Sequence, residues 1–140
     1  MSALQTVRSY WKYLIEGKGF ETILNTTQIV SAGEGKCTAE MVVREQHLNA
    51  LGTLHGGCTA TLVDMISSMA LVTTEQANTG VSVDMSISYL RAATLGEKII
   101  IEAKTNKSGK TLAFLDVAIK KSNGDLIATG THTKFVVKSN

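Results

Sequence analysis

An apolar segment of about 18 residues constrains the fold of this chain more than any other feature. It runs from Cys58 to about Glu75, is rich in alanine, leucine, methionine and isoleucine, and contains neither glycine nor proline. This composition predicts a helix about 27 Å long. Because the segment is apolar almost all round, we expect the helix to be buried on most faces, and in a domain of this size a sheet must then wrap around it.

Strand-like patterns flank the apolar segment on both sides. Before it, "TTQIVSA" and "KCTAEMVVRE" are separated by the turn "GEG", which predicts a hairpin. After it, "GVSVDMSISYL" alternates with a period of two and places five residues on the core face of a strand: Val81, Val83, Met85, Ile87 and Tyr89. The turns "SG" and "NG" separate three more strands. We therefore predict an α+β fold in which about four consecutive antiparallel strands form a meander after the helix.

The start of the chain predicts one more helix. Apolar residues recur at helical spacing from Leu4 to Ile15, and Gly17 and Gly19 end the pattern. We assign residues 1–18 to this N-terminal helix and residues 55–75 to the central helix of a single domain over residues 1–140. We expect the N-terminal helix to pack on the domain. The alternatives are a surface for a lipid-transfer partner or a membrane, and a mitochondrial presequence, which Glu16 disfavours.

Composition and charge exclude several classes of function. Hydrophobic residues make up 44% and charged residues 19% of the chain, as in an ordinary globular domain. The net charge is +2 and the lysines are scattered, so nothing favours nucleic acid. We expect no integral membrane segment, because no run of about 18 residues is apolar without interruption; the Cys58–Glu75 segment itself contains Asp64 and several hydroxyl side chains. Cys37 and Cys58 have neither a C-x-x-C spacing nor the even pairs of a disulfide framework, which favours a reducing compartment. We expect the protein in the cytosol, and a mitochondrial location is the alternative.

The motif "SGKT" at Ser108–Thr111 has the letters of a phosphate loop but not its context. A phosphate loop needs a glycine five positions before Gly109, where Lys104 stands, and it precedes a helix rather than joining two strands. We therefore exclude a nucleoside-triphosphatase. Lys107 and Lys110 beside this turn are either solvated lysines or plain charges that meet a phosphate.

Metal and thiol chemistry have little support in the sequence. His47, His55 and His132 show no metal-ligand spacing, so we expect no metal and no cofactor. Cys58 lies three residues after His55 at the predicted start of the central helix, where a thiolate nucleophile is conceivable. The sequence offers no residue that completes a triad, and a small, buried, unreactive cysteine is the alternative.

The stretch "HGGCTATLVD" points to chemistry. Gly56 and Gly57 precede the central helix, so their amides lie at the positive end of its dipole, where an oxyanion or another anion would bind. A tight turn is the alternative. Asp64 is a lone carboxylate within "TATLVDMISSMALV", and burial costs it several kcal/mol unless it is paired, hydrogen-bonded or beside a wet cavity. Such carboxylates are often functional, although a satisfied structural aspartate is also open.

The spacing between these groups predicts a dimer. Asp64 follows Gly57 by two helical turns, or about 10 Å along the axis. One carboxylate cannot reach a carbonyl bound at the start of its own helix. If both groups serve one reacting atom, the amides must come from a second subunit whose helix packs antiparallel across a two-fold axis.

These residues resemble those of the hotdog-fold acyl-CoA thioesterases of the phenylacetate-pathway type. The resemblance rests on "NALGTLHGG", on Asp64 in the helix that follows, and on "GVSVDMSISYLRAATLGEKI", and it extends from about Phe20 to Val137. It implies a long helix wrapped by an antiparallel sheet of about six strands. It also implies homodimers whose sheets join edge to edge, and two such dimers in a homotetramer.

The resemblance further implies roles for individual residues. Gly56 matches the amide that donates to the thioester carbonyl, and Asn49 matches the side chain that helps polarise it. Asp64 matches the carboxylate that activates or orients water, and Ser82 its hydrogen-bonding partner. His55 matches the histidine of the glycine turn. Direct attack by Asp64, which would give an anhydride, is the alternative to general-base catalysis.

For coenzyme A, the family uses the strand corresponding to Ser82–Tyr89, the turn after it, and the next glycine turn. The candidate residues here are Ser82, Tyr89, Arg91, Lys107, Gly109, Lys110 and Thr111. Arg91, Lys107 and Lys110 are expected at the phosphates, because each is a cation near the end of a strand. Many relatives carry a proline in the turn after the tyrosine, whereas this chain reads "YLRAATLG" there and departs from the family pattern.

The function expected from the resemblance is hydrolysis of medium- to long-chain fatty acyl-CoA to free fatty acid and coenzyme A. The chemistry of the residues agrees, because a carboxylate base activates water and helix-start amides stabilise an oxyanion. Two alternatives are a hotdog hydratase or dehydratase and a non-catalytic acyl-CoA-binding or scaffold protein.

Overall fold

The structure of the protein, a computed structural model, describes residues 1–136 and consists of a six-stranded antiparallel sheet around one long helix. The last residues of the predicted domain, 137–140, lie outside the described residues. The helices are α1 (Ala3–Ile15) and α2 (Gly56–Val72), with short 3₁₀ helices at Phe20–Leu24 and Glu45–His47. The strands are β1 (Gln28–Gly33), β2 (Lys36–Val42), β3 (Val81–Tyr89), β4 (Lys98–Ser108), β5 (Leu112–Lys121) and β6 (Leu126–Phe135). The predicted α+β architecture is confirmed.

The strand order across the sheet is β1-β2-β4-β5-β6-β3. The predicted hairpins β1-β2, β4-β5 and β5-β6 all form, but the prediction of a four-strand meander is wrong, because β3 pairs with β6 rather than with β4. Residues 90–97 join β3 to β4 and cross the start of α2, where the Leu54 amide donates to the Ala93 carbonyl (2.8 Å). A connection of this length does not require adjacent strands, unlike a two-residue hairpin turn.

Helix α2 is buried along most of its surface, as predicted. Leu62, Val63 and Ile66 are fully buried and pack in the core inside the curved sheet. The helix ends at Val72 rather than at the predicted residue 75. The hydroxyl groups of Thr73 and Thr74 satisfy carbonyls of the last turn instead of continuing the helix.

Strand β3 departs from the predicted alternation because it contains a bulge. Ser82 pairs with Lys134 and Asp84 pairs with Thr133, so Val83 is an extra residue in the strand. Because of the bulge, the side chains of the residues before Val83 lie on the opposite sheet faces from those that regular alternation predicts. Ser82 thus contacts the helix side of the sheet. The expected core face of this strand is wrong for four of its five residues, because the strand lies at the edge of the sheet: Val81, Val83, Met85 and Tyr89 are 62%, 59%, 37% and 57% exposed, and Ile87 alone of the five packs against the core.

The two edges of the sheet differ in how they are covered. Helix α1 packs beside β1, with Val7 and Trp11 buried and the indole N–H of Trp11 donating to the Thr27 carbonyl (3.0 Å). This contact agrees with the packing interpretation of the N-terminal helix. The opposite edge is β3, which within residues 1–136 pairs with β6 alone. A nine-residue edge strand with exposed apolar side chains is a surface that favours pairing with another strand.

Candidate active site

The start of α2 presents one backbone amide without an acceptor. His55 is the N-cap residue, and its Nδ1 accepts from the Gly57 amide (2.7 Å). The Cys58 and Thr59 amides donate to the His55 carbonyl. Within the described part of the chain, the Gly56 amide has no such acceptor. At the positive end of a 17-residue helix, this N–H is available to an oxyanion.

Tyr89 closes over the same helix start. Its hydroxyl donates to the Gly56 carbonyl (2.8 Å), and a Cβ added at Gly56 would lie 3.5 Å from the tyrosine ring. This is ordinary van der Waals contact. A small side chain at Gly56 therefore fits beside Tyr89, and the glycine is not required by crowding from the ring.

Asn49 organises the loop that precedes α2. Its Oδ1 accepts from the amides of Leu51 (3.0 Å) and Thr53 (3.1 Å), and its Nδ2 donates to the Thr53 hydroxyl (2.9 Å). These bonds fix the orientation of the amide group. They use one of the two N–H groups of Nδ2, which leaves the second for another acceptor.

Asp64 lies in the half-exposed stripe of α2 rather than in the core. Of the alternatives open for this carboxylate, the structure of a single chain shows a position beside a cavity, with the side chain 39% exposed. Asp64 and its neighbour Met65 line two hollows, of about 270 Å³ and about 250 Å³. The exposure follows from sheet coverage: the sheet covers the opposite face of α2, where Val63 and Ile66 are fully buried.

A buried histidine connects α2 to β3 beside Asp64. His132 of β6 is 1% exposed, its Nδ1 lies 2.8 Å from the Ser67 hydroxyl, and its Nε2 lies 2.8 Å from the Ser82 hydroxyl. The Asp64 carboxylate is 4.0 Å from Nε2. Burial lowers the pKa of His132, as does the Lys134 charge, while Asp64 and Asp84 act in the opposite direction. The neutral ring therefore holds Ser82 near Asp64 by hydrogen bonding.

Lys134, two residues further along β6, is the second ionisable group on this face. It is 3% exposed and its ammonium donates to the Ser68 hydroxyl. Sequence reasoning missed both His132 and Lys134 as site residues. A signal was present, because "HTK" places two ionisable residues on one face of a strand that packs against a helix.

Both cysteines are free and buried. Burial raises the pKa of Cys58 to about 11 and that of Cys37 to about 12, which keeps both thiols protonated near neutral pH. The His55 Nδ1 is already occupied by the Gly57 amide. These observations argue against the alternative in which Cys58 is a nucleophile.

Apart from Ser82, which lies beside His132 and Asp64, the residues expected to bind coenzyme A fall into two groups at opposite ends of α2. Tyr89 and Arg91 lie near the helix start, and the Arg91 guanidinium is exposed, 3.9 Å from Asp125. The second group lies at the end of β4 and in the β4-β5 turn: Lys107, Gly109, Lys110 and Thr111. This turn lies beyond the helix end, where Gln76 donates to the Gly109 carbonyl (2.7 Å). The 17-residue helix separates the two groups by about 25 Å.

The same separation applies to the groups expected to act on the thioester. Gly56 and Asp64 are eight residues apart on one helix, or about 12 Å along its axis. The structure brings Asp64, Ser82 and His132 together, and it brings His55, Gly56 and Tyr89 together. It does not bring these two clusters together in one chain.

Comparison with known proteins identifies the family. The family model described as "Thioesterase superfamily" matches residues 51–128, which include the helix start, Asp64 and β3. This chain belongs to the thioesterase superfamily. It is 52% identical over 136 residues to the human protein named acyl-coenzyme A thioesterase 13, a match covering 96% of this chain and 97% of that protein.

Solved structures of other thioesterases share the fold. The crystal structure of zebrafish thioesterase superfamily member 2 has a TM-score of 0.94 and 48% identity, and the match covers 97% of this chain and 99% of that one. A hypothetical thioesterase from Streptococcus pneumoniae, solved with coenzyme A, has a TM-score of 0.78 and 27% identity, with coverage of 85% and 91%. The predicted hotdog fold of this thioesterase is thereby confirmed.

Two further observations bear on the expected chemistry. Within residues 1–136, no cluster of three or more histidine, cysteine, aspartate or glutamate side chains has the geometry of a metal site. None of the helices in this range has the length and apolar character that spanning a membrane requires.

Proposed function

We propose that this thioesterase hydrolyses medium- to long-chain fatty acyl-CoA to free fatty acid and coenzyme A. The observation that carries the proposal is the position of Asp64, a half-exposed carboxylate between two hollows with Ser82 and His132 beside it. The similarity to a protein named acyl-coenzyme A thioesterase 13 and to a thioesterase solved with coenzyme A supports the substrate class.

In the proposed mechanism, Asp64 acts as a general base. It removes a proton from water while the water oxygen forms a bond to the thioester carbonyl carbon, which gives a tetrahedral oxyanion. The Ser82 hydroxyl, held by His132, orients the water. Collapse of the intermediate breaks the carbon–sulfur bond, and the proton held by Asp64 passes to the departing coenzyme A sulfur.

The oxyanion requires donors that are in place before it forms. The free Gly56 amide and the second Nδ2 proton of Asn49 are suited to this role, because both are fixed by surrounding hydrogen bonds. Loss of one such donor typically costs a factor of about 100 to 1,000 in rate. His55 contributes by capping the Gly57 amide and so fixing the glycine turn.

A complete site requires two chains. Asp64 of one protomer and Gly56 of its partner meet if two copies pair along the β3 edge with their α2 helices antiparallel. The exposed side chains of Val81, Val83 and Tyr89 on this edge support such a homodimer. The outer face of the sheet carries a hollow of about 580 Å³ that extends across the strands from β2 to β3, which we propose as the contact between two dimers in a homotetramer.

The same pairing assembles one coenzyme A site from the two separated groups. Tyr89 and Arg91 of one protomer would lie near Lys107, Gly109, Lys110 and Thr111 of its partner, because antiparallel helices place the start of one beside the end of the other. Arg91, Lys107 and Lys110 supply cations for the phosphates. The expected locations in the cytosol and mitochondrion, and an interaction of α1 with a lipid-transfer partner, stay predictions.

The test is release of free thiol from palmitoyl-CoA. We expect the purified wild type to release thiol and the Asp64→Asn and Asn49→Ala variants to do so at least about 100-fold more slowly. Circular dichroism of each variant controls for folding. If folded wild type releases thiol no faster than either variant, thioester hydrolysis at this site is contradicted. Binding of palmitoyl-CoA without hydrolysis would favour the acyl-CoA-binding or scaffold alternative.

A further inference from the structure

Lys134 is a buried cation without a carboxylate in direct contact. Within residues 1–136 it forms no salt bridge, and its one hydrogen-bond partner is the Ser68 hydroxyl. Ser68 donates its own proton to the Asp64 carbonyl (2.8 Å). The serine oxygen therefore accepts from Lys134, which leaves two ammonium protons without a partner in the described chain.

The cost of burying Lys134 is not explained by folding. Burial lowers the pKa of this lysine, and Asp64 partly offsets the effect. Replacing a buried charge with an apolar side chain of similar shape is often neutral or stabilising. A methionine at this position would pack in the same space without the cost of desolvation, so the charge has another use.

The surroundings of Lys134 indicate that use. Lys134, Ser68, Ser82 and Asp64 line the same hollow of about 270 Å³, whose apolar part is formed by residues of α1 and α2: Tyr10, Leu14, Met65 and Met69. Within residues 1–136, Lys134 is the only cationic side chain that lines this hollow. It therefore provides the positive charge in the hollow that also contains the carboxylate required as a base in the proposed reaction.

We propose that Lys134 is a positioning residue for thioester hydrolysis: its ammonium group faces the hollow in which negative charge develops beside Asp64, and its bond to Ser68 fixes the helix turn that carries Asp64. The inference rests on the proposed function of Asp64. A carboxylate base must bind a proton only transiently, while negative charge develops beside it. A nearby cation in a site of low dielectric stabilises both charges more than it would in water.

The other ionisable groups around the hollow do not replace Lys134. His132 of β6 is buried and neutral, as its lowered pKa requires near pH 7. Asp84 of β3 acts on His132 as an anion, and α1 contributes Tyr10 and Leu14 but no cation to the lining. Removing the Lys134 charge thus leaves the hollow without a cationic side chain from residues 1–136.

The Lys134→Met variant tests the proposal. We expect kcat for palmitoyl-CoA to fall by about tenfold or more with KM little changed, because the ammonium charge stabilises negative charge that develops during the reaction and does not hold the acyl chain. Thermal stability should be unchanged or higher. The matched control is Lys12→Met, which removes an exposed lysine of α1 and should change neither kcat nor KM.

A second readout does not depend on activity. In protein labelled with ¹⁵N at the lysine Nζ atoms, with Lys134→Met used for assignment, the Lys134 resonance should titrate at lower pH in Asp64→Asn than in the wild type, because the Asp64 charge raises the pKa of Lys134. An unchanged Lys134 titration, or a kcat that falls only in step with lower thermal stability, would overturn the proposal and make Lys134 a structural residue. If the wild type does not hydrolyse acyl-CoA, the proposed function fails, and the titration still decides whether Lys134 and Asp64 interact.

Discussion

Substitution of Gly130 tests the contact that brings β6 close to α2. A Cβ built at Gly130 would lie 2.8 Å from one methyl group of Val63 and 3.2 Å from the other. The backbone conformation at Gly130 accepts any residue, because its φ lies outside the left-handed region. The close approach is therefore the reason for glycine at this position. It also sets the spacing at which Asp64, next to Val63, meets His132, two residues after Gly130.

The magnitude follows from two opposing effects. An inserted methyl group in a packed core costs about 1–3 kcal/mol, whereas replacing glycine in a strand recovers about 0.5–1 kcal/mol of backbone entropy. We expect Gly130→Ala to lower the free energy of unfolding by about 1–2 kcal/mol. Val63→Ala removes two buried methylene equivalents, which costs about 2 kcal/mol. In the double variant the new methyl group occupies part of the vacated space, so the combined loss should be smaller than the sum by about 1 kcal/mol.

Equilibrium urea unfolding of the four proteins at one fixed protein concentration measures this coupling. Thiol release should fall in Gly130→Ala and recover in the double variant, because the second change lets α2 return towards β6. Additive losses within about 0.3–0.5 kcal/mol would refute the reasoning, since they would mean that the two side chains do not compete for space. An unchanged stability in Gly130→Ala alone would refute it as well.

Two further predictions concern pH and assembly. Burial lowers the pKa of His47 and His132 below the ordinary 6.5. As the pH falls through this value, the unfolded chain therefore binds more protons than the folded chain, and the folded state loses stability. Urea unfolding should show a lower free energy of unfolding at pH 5.5 than at pH 7.5, and equal values at the two pH values would contradict the prediction. The Val83→Lys variant carries a charge on the exposed bulge of β3 and loses no core contact. Size-exclusion chromatography should therefore detect a folded monomer, and this monomer should have little activity. An unchanged oligomer with full activity would exclude β3 as the dimer edge.

The sequence was sufficient for the elements and their turns. The absence of glycine and proline from Cys58 to Glu75 predicted α2, and "GEG", "SG" and "NG" predicted three hairpins that form. It was not sufficient for the neighbours of β3. Period-two alternation indicates which face of a strand is apolar but not which strand lies beside it, and a bulge at Val83 changes the alternation without any local signal.

The candidate site was predicted in part for a similar reason. Three site residues belong to patterns that are visible along the sequence. Gly56 lies at a helix start, Asp64 is a lone carboxylate in an apolar segment, and Ser82 lies in a motif that resembles the family's. His132 and Lys134 acquire their positions from the pairing of β6 with β3 and its packing against α2. Their contacts span 65 and 66 residues, and local spacing carries no information over that separation.

A complementation measurement tests the central claim, that one site combines Asp64 of one protomer with Gly56 of its partner. An Asp64→Ala chain lacks the base, and in a Gly56→Val chain the branched side chain, larger than the small one that fits there, shields the helix-start amide, so we expect each to be inactive alone. The two chains are mixed in equal amounts and allowed to exchange subunits. Half of the dimers are then heterodimers, and one of the two sites in each heterodimer combines an intact Asp64 with an intact Gly56. About a quarter of all sites are therefore intact, so thiol release from palmitoyl-CoA should return to roughly a quarter of the wild-type rate. No activity in heterodimers confirmed by mass spectrometry would contradict the claim.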